Sequence, residues 1–411
     1  MPRFGLALAI TGAVAAGIAT LMPYPAESER VDVIPPTCIV CGEMGGTDVA
    51  VNLLLLAPLA TGLALMGVRT GQVFIMAGLT TLAIETAQIA WIPGRDASLS
   101  DLLTNTTGAT VTAFVVWRRG LLLSPSPAGA RSLTIAGLVT WIGLEVLGGW
   151  ALRPSLPATH YWAQWAASLP HLDRFTGRVL GAQIDGRFLP PGSLRDAVEI
   201  RQRLFTGEAT LTVSAVTGGV PVEMAPIVSI LDERRKEILL LGQRSDQALF
   251  RVRTRVSDLR LRPVAIGIAG AIPSTPGETL HVTASYSRGS YSLQVAGGHG
   301  TVQRTLNASP NWMWSFFLPF EHYGIGPEVY VFTALWLGGL LVPIGYWTGK
   351  TRTRTAPALV SAGIALTLLL VPVWFGLPAL HPTEWIAAVG GAAAGFLLAR
   401  HAGPRAPEPS P

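Results

Sequence analysis

Eight apolar stretches, each close to the length that crosses a bilayer, constrain this chain more than any other feature. They run near residues 4–23, 48–67, 72–92, 100–121, 132–152, 327–347, 356–377 and 384–399. In lipid every backbone N–H and C=O must be satisfied within the segment, so such stretches fold as helices of about 20 residues. The last is short and rich in Gly and Ala. With 49% hydrophobic and 13% charged residues, the chain is too apolar for an ordinary soluble protein. The first stretch lacks a small-residue cleavage site, since Tyr24-Pro25-Ala26 places a bulky side chain there, and reads as an uncleaved anchor.

Basic residues set the orientation. With both termini cytoplasmic, Arg3, Arg69, Arg118, Arg119, Arg131, Lys350, Arg352, Arg354, Arg400 and Arg405 share one side, and only Arg30 and Arg95 fall in the short loops opposite. The expected organisation is a membrane domain over 1–153 with about five spans, an extracytoplasmic domain over 155–311, about three spans over 312–400, and a cytoplasmic tail at 401–411. This places the chain in a cytoplasmic (inner) membrane, with the lipid bilayer as its first partner.

The extracytoplasmic segment holds the whole net charge of +5: residues 171–306 carry 17 Lys or Arg against 12 Asp or Glu. Its pattern is short alternating runs, 208–216, 226–231, 237–242, 248–256, 281–286 and 291–295, punctuated by turn residues such as Ser245-Asp246 and Ser287-Arg-Gly-Ser290. Eight or more strands without helical patterns between them predict a β-sandwich. On the run 248–256, Arg251, Arg253 and Arg255 alternate with apolar residues, so three guanidinium groups are expected on one sheet face. Arg201 with Arg203, and Arg260 with Arg262, repeat the spacing. Such a row is either a solvated face or a cationic surface for anionic wall polymer or phosphate head groups. The extracytoplasmic location disfavours nucleic acid.

The run from Ile227 to Arg253 and the hairpin from His281 to Val295 resemble strand pairs of concanavalin A-like lectin or laminin-G-like jelly rolls. The resemblance implies carbohydrate binding. Residues 171–306 contain no Trp, however, and lack the paired carboxylates of glycan-hydrolysing relatives, so glycosidase chemistry is not expected.

In the membrane part, polar groups collect at one end of the spans. Asp48 and Asn52 lie four apart, Glu85 and Gln88 three apart, and Asp101, Asn105, Gly108 and Thr112 form one helical seam. Arg95 sits in the connecting loop, and the alternating topology brings Glu145 to a similar depth. Ionisable groups inside membrane helices are costly and mark functional sites by default. Asp48, Asn52, Ala57-Pro58-Leu59, Glu85-x-x-Gln88, Pro93-Gly94-Arg95, Asp101 and Asn105-x-x-Gly108 resemble the VanZ-like family of bacterial membrane proteins over about 40–120. The chain departs from that pattern at Ala60-Thr61, where Gly is usual. The resemblance implies a cell-envelope role, with an association with glycopeptide-antibiotic resistance, and supplies no reaction.

The expected fold is therefore a multi-pass α-helical membrane protein of about eight spans with an extracytoplasmic all-β jelly-roll sandwich. The cluster of Asp48, Asn52, Glu85, Gln88, Arg95, Asp101, Asn105 and Glu145 reads as structural hydrogen bonding or as a site for a lipid-linked envelope precursor or other amphiphile. The sandwich is expected to engage wall or surface polysaccharide. The alternatives are an enzyme on lipid-linked precursors, with Asp101 or Glu85 as acid/base, and a proton-coupled transporter. Cys38 and Cys41 read as a local disulfide, with free or redox-active thiols and half a metal knuckle as alternatives. No cofactor motif or metal-ligand set is present. His381 and Glu384 flank the last two spans, and Trp312, Trp314, Phe316, Phe317 and Phe320 read as an interfacial aromatic segment.

Overall fold

The computed structural model describes residues 2–22, 37, 39–40, 42, 44–92, 98–169, 172–206, 208–298, 300–318 and 324–401. Cys38, Cys41, Arg95 and Phe320 lie outside them. The chain forms two compact units, one of residues 1–125 with 259–262 and the other of 126–258 with 263–411.

The first unit holds α1 (Pro2–Leu21), α2 (Gly45–Leu55), α3 (Ala57–Leu65), α4 (Thr70–Trp91), α5 (Leu99–Trp117) and the short α6 (Arg119–Leu123). Helices α2 and α3 are one span broken at Leu56, because Pro58 donates no N–H and its ring crowds the preceding turn. Helix α1 buries a stripe of small residues, Gly5, Ala9, Gly12 and Ala16. A Cβ on Gly12 would lie 2.5 Å from Leu59 N, and one on Gly62 2.4 Å from Ala9 N, so α1 and α3 meet backbone to backbone. Helices in lipid gain association energy from such close contact.

The second unit begins with α7 (Pro127–Ala151) and continues into twelve strands: β1 (Tyr161–Trp165), β2 (Arg178–Ile184), β3 (Arg187–Phe188), β4 (Gly192–Leu194), β5 (Glu208–Val216), β6 (Ala225–Asp232), β7 (Glu237–Arg244), β8 (Gln247–Val252), β9 (Ala265–Ile268), β10 (Thr279–Ser287), β11 (Ser290–Gly297) and β12 (Gly300–Asn307). Two short helices interrupt them, α8 (Ala197–Thr206) and α9 (Arg255–Asp258). A 3₁₀ segment, Pro310–Phe317, then leads to α10 (Glu328–Lys350), α11 (Ala356–Phe375) and α12 (Pro382–His401).

The strands form two antiparallel six-stranded sheets, in the orders β4-β1-β6-β7-β8-β9 and β12-β11-β10-β5-β2-β3. They pack face to face: Phe250 of β8 meets Tyr291 of β11 edge-on, with centroids 6.4 Å apart, and Tyr286 meets Tyr291 at 5.0 Å. Burial holds the Tyr286 phenol up at about 12. Strands β5, β10 and β11 alternate between buried and less buried residues, so their sheet covers the core with one face. All eight residues of β6 are buried, so the other sheet is covered on both faces. Leu172 contributes to that second cover, packing against Leu231 and against the cluster of Met224, Leu240 and Leu249. Two hairpins close with two-residue loops, Asp185-Gly186 and Arg288-Gly289, whose positive φ values (51° and 77°, 46° and 82°) match the twist of the flanking strands.

Seven helices among the described residues are long and apolar enough to cross a membrane: α1, α2 with α3, α4, α7, α10, α11 and α12. The span expected over 100–121 forms α5, which does not join these seven. Its 19 residues include five Thr, Asn105 and Asp101, and it packs against α2, α3 and α4. In unit two, α10 and α12 pack through glycines; a Cβ on Gly395 would lie 1.9 Å from Val342 O, and one on Gly345 2.0 Å from Ala392 O.

Candidate functional site

The polar groups of the first unit meet in pairs. Asn52 on α2 donates from Nδ2 to Asp101 Oδ1 on α5 at 2.7 Å. Helix α5 approaches so closely because Gly108 stands opposite Leu53, whose carbonyl oxygen would lie 1.9 Å from any Cβ there. Glu85 and Gln88 are both buried on one face of α4, as their spacing requires, but they serve different partners. Glu85 Oε2 accepts from the Ser98 backbone N–H at 2.7 Å, and Ser98 in turn caps α5 by accepting from Ser100 N. Gln88 Nε2 donates to Thr20 O at 2.9 Å, satisfying one of the carbonyls left open at the end of α1. Asn105 is 3% exposed, and its Oδ1, like Gln88 Oε1, receives no hydrogen bond within the described residues. Asp48 is exposed in the first turn of α2.

Arg260 and Arg262, expected to alternate along a strand, lie in the segment 259–262 that closes the start of α2 instead. Arg260 O accepts from Gly46 N at 3.0 Å, Thr47 Oγ1 accepts from Arg262 N at 2.9 Å, and the Arg260 guanidinium reaches Val40 O. A Cβ on Gly46 would meet Leu259 O at 2.2 Å.

Glu145 belongs to the second unit. It is 3% exposed on α7 and in electrostatic contact with Glu384, which is 1% exposed in the first turn of α12. Ser309 Oγ and Asn311 Nδ2 donate to Glu384 Oε1 at 2.7 and 3.1 Å, and Asn311 also bonds Glu145. The sequence left Glu384 two readings, as a residue approaching the acidic site or as part of a turn with an interfacial His; its partners come from distant parts of the chain.

The expected cationic row does not form. Strand β8 ends at Val252, so Arg255 lies in α9, with its guanidinium 4.9 Å from the Trp150 ring centroid. Arg251 pairs with Glu237, and Arg253 with Asp232 at 3.1 Å and Asp258 at 2.8 Å. Arg251 and Arg253 are thus engaged in ion pairs within the sandwich, and all three arginines are half-buried. Arg201 and Arg203 lie on α8, not on a strand; Arg203 pairs with Asp185 and Glu199. Arg187 and Arg203 hold the Glu199 carboxyl below its ordinary range by hydrogen bonding.

The sandwich also supplies aromatic side chains that the count over 171–306 missed, because its first strand precedes that segment. A cleft of about 300 Å³ opens beside β1 and β4. Its lining includes Trp162, Gln164, Trp165, Ser168, Pro191 and Gly192. On β1, Tyr161 and Ala163 point into the core, which leaves Trp162 and Gln164 on the outer face. Trp165 meets the exposed Phe188 edge-on at 6.0 Å. Apolar ring faces beside amide and hydroxyl groups suit a pyranose, with its C–H face and equatorial hydroxyls. Comparison with family models, curated proteins and solved structures finds no match for this chain.

Proposed function

We propose that this chain is a multi-pass protein of a bacterial cytoplasmic membrane whose β-sandwich, facing away from the cytoplasm, binds a glycan chain of the cell envelope. The observation that carries the reading is the cleft at β1 and β4, where Trp162 and Trp165 stand beside Gln164 and Ser168 on a domain carried by membrane-length helices. The basic-residue pattern supports the orientation. The resemblance of residues 40–120 to VanZ-like proteins and of the sandwich to lectin-like jelly rolls supports an envelope role. In this reading α5 is an eighth span, enclosed by α2, α3 and α4, which is why it tolerates so many polar residues.

Detergent-purified full-length protein is expected to co-sediment with purified wall polysaccharide. Trp162→Ala is expected to weaken binding by about tenfold or more, the usual cost of removing a central aromatic contact. Equal binding by both proteins refutes the cleft as the site. Retention of Trp162-dependent binding by lipid vesicles alone, with none by polysaccharide, identifies the aromatic group as a membrane anchor.

A second site is favoured by one observation. The buried acceptors Asn105 Oδ1 and Gln88 Oε1 lack donors within the described residues, beside the Asn52–Asp101 and Glu85–Ser98 bonds. An amphiphile with amine or hydroxyl donors, such as a lipid-linked envelope precursor, complements them. Native mass spectrometry tests this: a lipid retained by the wild type and lost from Asn105→Leu supports the site, and identical lipid content in both proteins refutes it.

A further inference from the structure

Glu145 and Glu384 bring two carboxylates from α7 and α12 into one buried place, 3% and 1% exposed, in helices that are long and apolar enough to cross a membrane. Their surroundings are neutral and mostly donating. Ser309 and Asn311 donate to Glu384 Oε1, and Asn311 also bonds Glu145. Trp141, 2% exposed and one turn from Glu145, turns its indole N–H toward that carboxylate. Glu384 Oε2 has no hydrogen-bond donor among the described residues. His381, just before Glu384, is stacked on Tyr330 with centroids 4.0 Å apart and its Nδ1 turned to Thr383. Phe375 of α11 closes the α7 side against Gly149.

Neutral donors stabilise one negative charge at this depth, but two adjacent carboxylates need a positive charge as well. The unpartnered Glu384 Oε2 marks where it can bind. We propose that Glu145 and Glu384 form a site for a single positive charge, taken either as a proton held by the pair or as a monovalent cation. The site lies where the chain leaves the sandwich: Ser309 and Asn311 follow β12 directly, and Pro310 O would lie 2.2 Å from a Cβ on Gly148 of α7. Occupancy therefore fastens the exit of the sandwich to α7 and α12. This is independent of the glycan reading, because neither glutamate lines the cleft.

The test measures thermal unfolding of full-length protein in detergent for the wild type, Glu145→Gln, Glu384→Gln, the double variant and His381→Gln. One series runs from about pH 6 to about pH 9. The other exchanges choline chloride for sodium or potassium chloride at fixed pH. A proton site predicts that the wild-type Tm falls by about 3 °C or more as pH rises. The fall should persist in His381→Gln and vanish in the glutamine variants. A cation site predicts instead that sodium or potassium raises the wild-type Tm over choline, with the same loss in the variants. The proposal is overturned if wild type and glutamine variants respond alike in both series. If the glutamine variants are too unstable to compare, a wild-type Tm that changes with neither pH nor cation overturns the proposal.

Discussion

Replacing Gly108 by Ala should separate helices that the structure holds in backbone contact. A Cβ at this position lies 1.9 Å from Leu53 O, 2.6 Å from Leu53 C and 2.8 Å from Leu53 Cα, all of them backbone atoms that cannot rotate away. Helix α5 must therefore move from α2, and the 2.7 Å bond from Asn52 to Asp101 spans that same interface. Overpacking costs about 1–3 kcal/mol and loss of a hydrogen bond to a charged group about 1.5–3, while Ala in a helix recovers about 1, which leaves about 2–5 kcal/mol. Gly143→Ala is the matched control: Gly143 lies in α7 with nothing within 4 Å of the added methyl group. It should be neutral or stabilising by up to about 1 kcal/mol. Reversible unfolding in mixed micelles measures both. Equal stability of Gly108→Ala and Gly143→Ala refutes the α2–α5 contact as described.

Arg253→Ala leaves Asp232, whose side chain is 5% exposed, without its guanidinium; backbone N–H groups of Arg234 and Lys236 still bond it, so the expected cost is about 3 kcal/mol, read from chemical denaturation. Arg251→Ala and Arg255→Ala should leave polysaccharide binding unchanged, since those groups face Glu237 and Trp150; a loss in the co-sedimentation assay restores the cationic-surface reading. Glu199 is held below its ordinary value of 4.5 by Arg203 and Arg187, so its contribution is present above that pH and lost as pH falls below it. Amide exchange in α8 should rise over that acidic range in the wild type and not in Glu199→Gln; matching profiles contradict the ion-pair account.

The strands with clean alternation were legible in the sequence: 208–216 is β5, and 226–231, 237–242, 281–286 and 291–295 fall within β6, β7, β10 and β11. Helix α8 was not, because Arg201 and Arg203 at i, i+2 imitate a strand face. Its buried Ala197, Ile200 and Leu204, spaced three and four apart, carry the helical signal. Strand β1 precedes the segment 171–306, and so the two tryptophans of the cleft escaped the count. The Asn52–Asp101 pairing is consistent with the helical seam of the motif. An approach of Glu384 to the acidic site was one of two readings open, but its pairing with Glu145 was not singled out, since pattern along the chain does not report which distant helices meet.

Calorimetric titration of the full-length protein with soluble wall-glycan strands, wild type beside Trp162→Ala, tests the central claim most directly. The account predicts saturable binding by the wild type, weakened about tenfold or more by the substitution while the unfolding temperature stays unchanged. Saturable binding of equal strength by both proteins, or no binding by a folded wild type, contradicts it.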